Sequence, residues 1–314
     1  MPDALPQDPA RPTWRRLGKR IAFTLATLLS VATVVTVLRP VAVSTALARA
    51  RLLWHLSATD LPGAHGPLRV FTGGAGSGVL LIHDLGDDAS VWTDVIDTAF
   101  AHHRVAAVDL PGHGGSAPST GPLTARDVTA GVERAAAQLG AGAISLVGHG
   151  AGGWLALDFA RHHPTRVSHL VLINAWWLPG DEIRRTLMPH SRDEARLMTA
   201  LLDGRAFTPP DFVLDDLARH TDEGPIARLL GTTPDPLPPF DPIELHALAI
   251  PVTIIWSRHD ALLPPALVER LRADLPRATL IQVDACGHVP MRECPGALAD
   301  ALAAALGAPV DTPR

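Results

Sequence analysis

Residues 144–154 read Ile-Ser-Leu-Val-Gly-His-Gly-Ala-Gly-Gly-Trp. The segment begins with an apolar run that ends at Gly148, and helical spacing starts at Ala151. A strand, a tight glycine turn and a helix in this order form a frame that presents a nucleophile at the end of a sheet strand. Gly148 and Gly152 allow the strand and the helix to approach closely. The tip of the turn, however, is Gly150, which carries no side chain.

Length and composition restrict the class of protein. The chain has 314 residues, a hydrophobic fraction of 47% and a formal net charge of -5. This length predicts one large α/β domain with an insertion, and the acidic balance excludes a nucleic-acid footprint. Residues 73–78 are glycine-rich but lack the Lys-Ser/Thr ending of a phosphate loop. The histidine pairs at 102–103 and 162–163 lack metal-ligand spacing, so we expect neither a metal nor a cofactor.

The amino-terminal part has the pattern of a membrane anchor. A basic tail over residues 1–20 precedes residues 21–38, which contain no charge. Eighteen helical residues span about 27 Å, enough for a bilayer core. A cleaved signal peptide is the alternative, because Ala46-Leu47-Ala48 resembles a cleavage site. More basic residues precede the span than follow it, which favours an inside amino terminus and an outside domain, with secretion after cleavage as the alternative.

Hydroxyl side chains recur every three residues along this span, at Thr24, Thr27, Ser30, Thr33 and Thr36. Small hydroxyl residues can pair helices in lipid, but they can also bond to the backbone of their own helix. We expect the second arrangement. The oligomeric state does not follow from the sequence.

Short apolar runs alternate with helical spacing through the rest of the chain. They predict a doubly wound, mostly parallel sheet. We assign residues 67–177 and 249–308 to this core and residues 178–248 to an inserted helical lid. Residues 39–66 are expected to form a connector with little packed structure beyond a possible helix over 47–56.

Several motifs resemble those of the α/β-hydrolase superfamily, and they occur in the order that the superfamily uses. Residues 148–154 are similar to its Gly-His-Ser-x-Gly-Gly-Trp elbow, with Gly150 where that version carries serine. Residues 83–86, His-Asp-Leu-Gly, resemble its His-Gly-x-Gly oxyanion segment. Residues 109–116 resemble its Asp-x-Pro-Gly-His-Gly-x-Ser turn, where His113 and Ser116 are expected to be structural.

The resemblance implies roles for individual residues. His288 corresponds to the catalytic histidine and Asp260 to the acid that orients it, while Gly150 leaves the nucleophile position without a side chain. The backbone N–H groups of Leu85 and Ala151 correspond to the oxyanion hole. Asp84 would oppose an anion there. The residues expected to contact substrate are His83, Asp84, His149, Trp176 and Trp177. Because side chains alternate along a strand, we expect His149 to point away from the elbow tip.

Two functions remain open. In the first, His288 and Asp260 activate a water that hydrolyses a small, largely apolar ester-like or carbonyl ligand. In the second, the protein is a pseudo-hydrolase that binds a small molecule or a protein partner without turnover. Conventional serine hydrolysis is disfavoured, because residue 150 offers no hydroxyl.

The chain contains two cysteines, Cys286 and Cys294, on either side of the predicted His288 loop. If the domain lies outside, a disulfide between them would restrain that loop. Two separate buried thiols are the alternative. Spacing alone does not decide between these arrangements.

Overall fold

The computed structural model describes residues 13–175, 181–203, 208–230, 240–284 and 286–307. Within these residues, eight strands form one sheet in the order β1-β2-β4-β3-β5-β6-β7-β8. The strands are β1 (Ser57–Gly63), β2 (Gly66–Gly74), β3 (Ser77–Ile82), β4 (His103–Val108), β5 (Ile144–His149), β6 (Val167–Ile173), β7 (Val252–Ser257) and β8 (Thr279–Val283). Pairing from β4 to β8 is parallel, whereas β1 and β2 are antiparallel. The predicted doubly wound, mostly parallel sheet is confirmed.

Helices cover both faces of this sheet. They are α1 (Thr13–Leu38), α2 (Pro40–Leu52), α3 (Ile96–Ala99), α4 (Ala125–Ala137), α5 (Ala151–His162), α6 (Asp181–Thr186), α7 (Arg192–Leu202), α8 (Asp211–Arg219), α9 (Pro225–Leu230), α10 (Pro242–Ala247), α11 (Pro265–Asp274), α12 (Pro290–Glu293) and α13 (Pro295–Leu306). Alternate residues of one strand enter different cores: Leu80 packs with α4 and α5, whereas Leu81 packs with α3 and α13. A strand buried on both faces explains the continuous apolar runs in the sequence.

The helices α1 and α2 meet at a bend of 110°. Pro40 occupies the first turn of α2, where its fixed φ and missing N–H suit a helix start and prevent continuation from α1. Among the described residues no single helix combines the length and the apolarity needed to cross a membrane. The bent pair Thr24–Leu38 and Pro40–Leu52 meets both requirements when it is taken together.

The expectation of a connector with little packed structure over residues 39–66 is wrong. This part of the chain forms α2 and β1, and the latter pairs with β2 along its whole length. Leu52 is fully buried and α2 packs against a 3-10 helix at Ala89–Val95. The sequence of α2 has no distinct apolar face, and its packing partners lie at residues 89–95 and 211–219, so local patterns do not predict this packing.

The insertion between β6 and β7 contains α6 through α10 within its described residues. Its helices α7 and α8 pack together, and α8 also contacts α2. Whether the insertion acts as a lid remains a prediction. Trp176 and Trp177, predicted to contact substrate, lie outside the described residues.

The sheet order determines where a site can form. The central strands β3, β5 and β6 are parallel neighbours. Their carboxyl ends therefore lie side by side, at Ile82, His149 and Ile173. Loops that follow these ends converge, as is general for open α/β sheets.

Candidate active site

The turn between β5 and α5 consists of Gly150 alone. Its backbone angles are φ 56° and ψ -126°, which side-chain-bearing residues adopt only under strain. Its N–H donates to the carbonyl of Ile173 at 3.0 Å. A Cβ added at Gly148 would overlap the Gly152 carbonyl, so strand and helix pass in close contact. The geometry is that of the predicted elbow.

The loop after β3 places a carboxylate against this elbow. The backbone N–H groups of Leu85 and Ala151 both donate to Asp84 Oδ1, at 2.8 Å and 2.7 Å. These are the two groups that the sequence assigned to an oxyanion hole, and they do point at one common oxygen. That oxygen belongs to the protein itself.

Asp84 also fills the space beside Gly150. A Cβ built on Gly150 would overlap the carboxyl carbon and both carboxylate oxygens of Asp84. Residue 150 itself has no side chain, as predicted, but the space beside it is not vacant, because the Asp84 side chain from another loop lies there. Two departures from the family pattern, aspartate for glycine at 84 and glycine for serine at 150, are complementary in shape. Their pairing is the sequence signal that could have indicated this arrangement.

His288 lies between two carboxylates. Its Nδ1 is 2.8 Å from Asp260 Oδ2, and its Nε2 is 3.2 Å from Asp84 Oδ2. The ring is fully buried, whereas the Asp84 side chain keeps 10% exposure. The backbone N–H groups of Leu262 and Leu263 donate to the other oxygen of Asp260, both at 3.0 Å. The predicted acid and histidine are thus brought together, and Asp84 joins them.

The loop that carries His288 is fixed at both ends. Cys286 and Cys294 form a disulfide with Cα atoms 5.8 Å apart, so the alternative of two separate thiols is wrong. The Glu293 carboxylate accepts the N–H groups of Gly287 at 2.8 Å and Val289 at 3.2 Å. These restraints hold the imidazole in place without a contact to its nitrogens.

Electrostatics make this arrangement an ion pair. Burial alone would lower the pKa of His288, but the charges and hydrogen bonds of Asp260 and Asp84 raise it to about 10. Burial acts to raise the pKa of Asp84, and the hydrogen bond from His288 together with nearby charges lowers it below its ordinary value. At neutral pH the resting site therefore holds an imidazolium next to an ionised Asp84.

His149 contradicts the orientation expected from strand alternation. Its ring centroid is 5.1 Å from that of His288, and its Nε2 lies 2.8 Å from the His288 carbonyl oxygen. Because a carbonyl only accepts, Nε2 carries the proton, which leaves Nδ1 as an acceptor. This buried Nδ1 has no hydrogen-bond partner in the structure. Burial first, and then the charge of His288, lower the pKa of His149 to about 4.

Both ring nitrogens of His83 form hydrogen bonds with backbone groups. The N–H of Leu110 donates to Nε2 at 3.0 Å, and Nδ1 lies 2.7 Å from the Asp84 carbonyl oxygen. The ring is fully buried. The His83 ring therefore connects the Asp84 loop to the loop that follows β4. This structural role differs from the substrate contact that we expected from the sequence.

The turn after β4 is structural, as expected. Asp109 accepts the N–H groups of Ala89 at 2.9 Å and Gly115 at 2.7 Å, and Arg49 binds it at 2.6 Å. The Ser116 hydroxyl donates to the Asp109 carbonyl at 2.6 Å. Nothing in the sequence indicated the part that Arg49 plays.

The donor atoms of Asp84, His149 and His288 lie within 4.8 Å of one another. Two imidazoles and a carboxylate are a donor set that transition metals accept. Metal binding would have to replace the direct bond between His288 and Asp84. The sequence did not predict this juxtaposition.

Comparison with known proteins agrees with this architecture. Residues 79–301, which include Asp84, Gly150, Asp260 and His288, match the alpha/beta hydrolase family. A pimeloyl-acyl-carrier-protein methyl ester esterase from Aromatoleum aromaticum is 30% identical over 239 residues, which cover 69% of this chain and 93% of the esterase.

Two further similarities extend over most of the chain. An uncharacterized protein of Mycobacterium tuberculosis is 27% identical over 264 residues, covering 75% of this chain and 77% of that protein. The crystal structure of a membrane phospholipase A, a bacterial virulence factor, is similar in fold with a TM-score of 0.73 at 24% identity, covering 92% of this chain and 98% of that one. This chain therefore belongs to the alpha/beta hydrolase family.

Proposed function

We propose that this protein is a hydrolase of a small, largely apolar ligand, with its reaction centre at His288 between Asp260 and Asp84. The observation that carries the proposal is the buried pair of His288 and Asp260, which is assembled at 2.8 Å. An acid in this position fixes the tautomer of the ring and stabilises its protonated form. The pair thus has the geometry of a general base for water.

The site does not use serine chemistry. Gly150 supplies no hydroxyl, and the two ring nitrogens of His288 bond to carboxylates. A carbonyl substrate would also need the N–H groups of Leu85 and Ala151, both of which donate to Asp84. An acyl-enzyme of the serine type is therefore excluded at this turn.

A base has to be neutral when it accepts a proton. The pKa of His288 is raised to about 10 partly through Asp84, so the resting imidazolium does not activate water. Direct attack by water on a bound ester is consequently disfavoured. Hydrolysis requires an event that removes the negative charge of Asp84 before water reacts.

The experiment is a turnover measurement on full-length protein in detergent. Small esters, epoxides and alkyl halides serve as probes, with product formation as the readout. We expect turnover of at least one class, and His288→Ala should reduce it by about 10²- to 10⁴-fold. The control is His162→Ala, which removes a ring that is 57% exposed at the carboxyl-terminal end of α5.

A second candidate is a pseudo-hydrolase that binds a ligand without turnover. It is favoured by the closed network at the site, since Asp84 bonds to the oxyanion donors and to His288 at once. This candidate predicts ligand-dependent stabilisation of the fold with no product from any probe class. That result would overturn the hydrolase proposal.

We further propose that residues 21–38 anchor the protein in a membrane, with the amino terminus inside and the domain outside. The hydroxyls of Ser30 and Thr33 donate to backbone carbonyls four residues earlier, an arrangement that suits a helix in lipid. A disulfide at the His288 loop suits an oxidising compartment. Packing of α2 on the domain favours an uncleaved anchor, because cleavage after Ala48 would remove its buried Pro40.

Membrane fractionation tests the anchor. We expect the protein to stay in the membrane pellet after carbonate extraction. A mature chain that begins near Arg49 would instead establish a cleaved signal peptide and secretion.

A further inference from the structure

The two oxygens of Asp84 have different environments. Oδ1 accepts the N–H groups of Leu85 and Ala151 at 2.8 Å and 2.7 Å, while Oδ2 lies 3.2 Å from His288 Nε2. The carboxylate also occupies the space that a side chain at Gly150 would need. One oxygen is thus held by the elbow, and the other is directed at the catalytic histidine from the nucleophile position.

We propose that Asp84 is the nucleophile of this hydrolase, and that its substrate presents an electrophilic saturated carbon with a leaving group. An epoxide and an alkyl halide share this chemistry. The inference rests on the proposed hydrolase function and specifies its nucleophile and substrate class.

The oxyanion donors select this class over esters. During attack on a carbonyl, negative charge develops on the substrate oxygen, which would find both N–H groups already bonded to Asp84. Attack on a saturated carbon does not need this hole, because a halide leaves as an anion and the oxygen of an opening epoxide is protonated by His288. An ester formed on Asp84 would instead keep its carbonyl oxygen, Oδ1, between Leu85 and Ala151. The hole is therefore complementary to an intermediate built on Asp84.

In the first step, Oδ2 of Asp84 forms a bond to the saturated carbon and the bond to the leaving group breaks. The leaving group takes the electron pair of that bond. An epoxide oxygen stays attached to the substrate and takes the proton carried by His288. A halide departs as an anion, and the His288 proton passes to solvent.

The first step also prepares the second. Esterification removes the negative charge of Asp84, which is one of the two carboxylates that raise the pKa of His288. His288 then becomes neutral and, oriented by Asp260, accepts a proton from water. The hydroxide adds to the Asp84 carboxyl carbon, and the developing oxyanion is Oδ1. Collapse breaks the bond from the carboxyl carbon to the substrate oxygen, releases the alcohol with the carboxyl proton and restores ionised Asp84 and protonated His288.

The ring beside His288 carries an unused hydrogen-bond acceptor. Nδ1 of His149 is buried and has no hydrogen-bond partner, and one ring nitrogen of His149 lies within 4.8 Å of ligand atoms of Asp84 and His288. A water donating to this nitrogen would be close to the base and to the carboxyl carbon. A buried acceptor without a partner is an independent indication that a polar group, such as a water, binds here.

The test measures oxygen-18 incorporation and covalent adduct formation at Asp84, using full-length protein in detergent. The probes are 1,2-epoxyhexane and 1-bromohexane, with p-nitrophenyl butyrate as the ester comparison. Turnover in oxygen-18 water should place the label in the peptide that carries Asp84, because water attacks its carboxyl carbon. With His288→Gln the second step should stall, so a hexyl ester should accumulate on Asp84 when 1-bromohexane is the probe.

Substitution of the nucleophile completes the design. Asp84→Asn should lose turnover by about 10³-fold or more and form no adduct. The matched control is Asp193→Asn, since this carboxylate is 91% exposed on α7. If Asp84→Asn does not fold, the isotope measurement on wild type and the adduct in His288→Gln still decide the matter.

The outcomes separate the two proposals. Product formation without label in the Asp84 peptide overturns the nucleophile assignment and leaves the hydrolase proposal standing. Turnover of the ester alone, retained in Asp84→Asn, overturns the assignment in the same way. An absence of both product and adduct with all probes overturns both proposals.

Discussion

At the scale of single residues, Asp84 and Gly150 form one unit. The carboxylate of Asp84 lies where any side chain at position 150 would be, so the chain can have a side chain at only one of these two places. The backbone at Gly150 keeps the positive φ of a nucleophile elbow, even though Gly150 has no side chain that could act as a nucleophile. Restoring a serine there consequently requires a change at position 84 as well.

We predict that Gly150→Ser alone is destabilising and gains no reaction with a serine-directed phosphonate. The positive φ costs about 1–3 kcal/mol, and the overlap with Asp84 adds to this. The double variant Asp84→Gly/Gly150→Ser should fold better than the single one and become labelled, because the serine then has both space and a histidine. Urea denaturation and mass spectrometry of the labelled protein measure the two effects.

Removing His288 from the double variant, by His288→Ala, is the control and should abolish the labelling. Equal labelling of the single and the double variant would show that Asp84 does not compete with residue 150 for space.

The second residue-scale prediction concerns pH. The pKa of His288 rises from about 6.5 in the unfolded chain to about 10 in the folded one. Its contribution to stability is therefore complete below pH about 6.5, declines as the pH rises, and is lost above about 10. Asp84→Asn removes one of the two carboxylates, so the alkaline decline should become shallower. Urea midpoints between these pH limits measure it.

Asp260 still faces His288 in that variant. The decline of stability with rising pH should therefore become shallower without disappearing. The conservative change Asp193→Asn serves as the reference, because its carboxylate is 91% exposed. Parallel declines in wild type and Asp84→Asn would contradict the ion pair between Asp84 and His288.

At the scale of elements, α2 behaves as part of the folded domain. Arg49 bonds to the fully buried Asp109, which also receives backbone N–H groups from the loops that flank the site. The N–H of Val41 donates to Asp216 on α8 at 3.2 Å. This helix therefore links the amino-terminal segment both to the loop after β4 and to the inserted segment.

We predict that Arg49→Ala destabilises the protein by about 3 kcal/mol, since it leaves a buried carboxylate without its cation. This is the lower end of the usual range, because Asp109 keeps two backbone donors. The matched control is Arg51→Ala, whose pair with Asp94 is exposed and should contribute at most about 1 kcal/mol. Denaturation midpoints of the two variants should differ clearly, and equal losses would refute the buried role of Arg49.

At the scale of the whole molecule, the amino-terminal segment has two parts with different partners. The exposed apolar side chains of α1 contrast with α2, whose Leu52 is fully buried against the domain. A boundary at the 110° bend would therefore separate the proposed membrane anchor from the folded domain.

Truncation tests this division. A chain that begins at Pro40 should be recovered without detergent and should keep the denaturation midpoint of the full-length protein. A chain that begins at Leu53 should lose stability by at least as much as Arg49→Ala, because all the contacts of α2 are removed. If both truncated chains are equally stable, α2 is not an integral part of the domain.

The sequence by itself determined the sheet and the elbow, and its resemblance to the superfamily indicated the pairing of His288 with Asp260. Apolar strands that alternate with helices leave few topologies open, and parallel strands bring their carboxyl ends to one edge. The residues that follow those ends were therefore placed correctly although they are distant in sequence. Local patterns sufficed because each motif is read within a few residues of its own strand.

Only the tertiary structure decided what occupies the centre of the site. Asp84 and Gly150 are separated by two strands, two α-helices and a 3-10 helix. Their fit depends on side-chain volume across the sheet edge. The same applies to Arg49, which reaches a carboxylate 60 residues further along. The orientation of His149 likewise depends on the His288 carbonyl, which accepts a hydrogen bond from His149 Nε2. Such contacts are set by packing between distant segments, which periodicity and motif spacing do not encode.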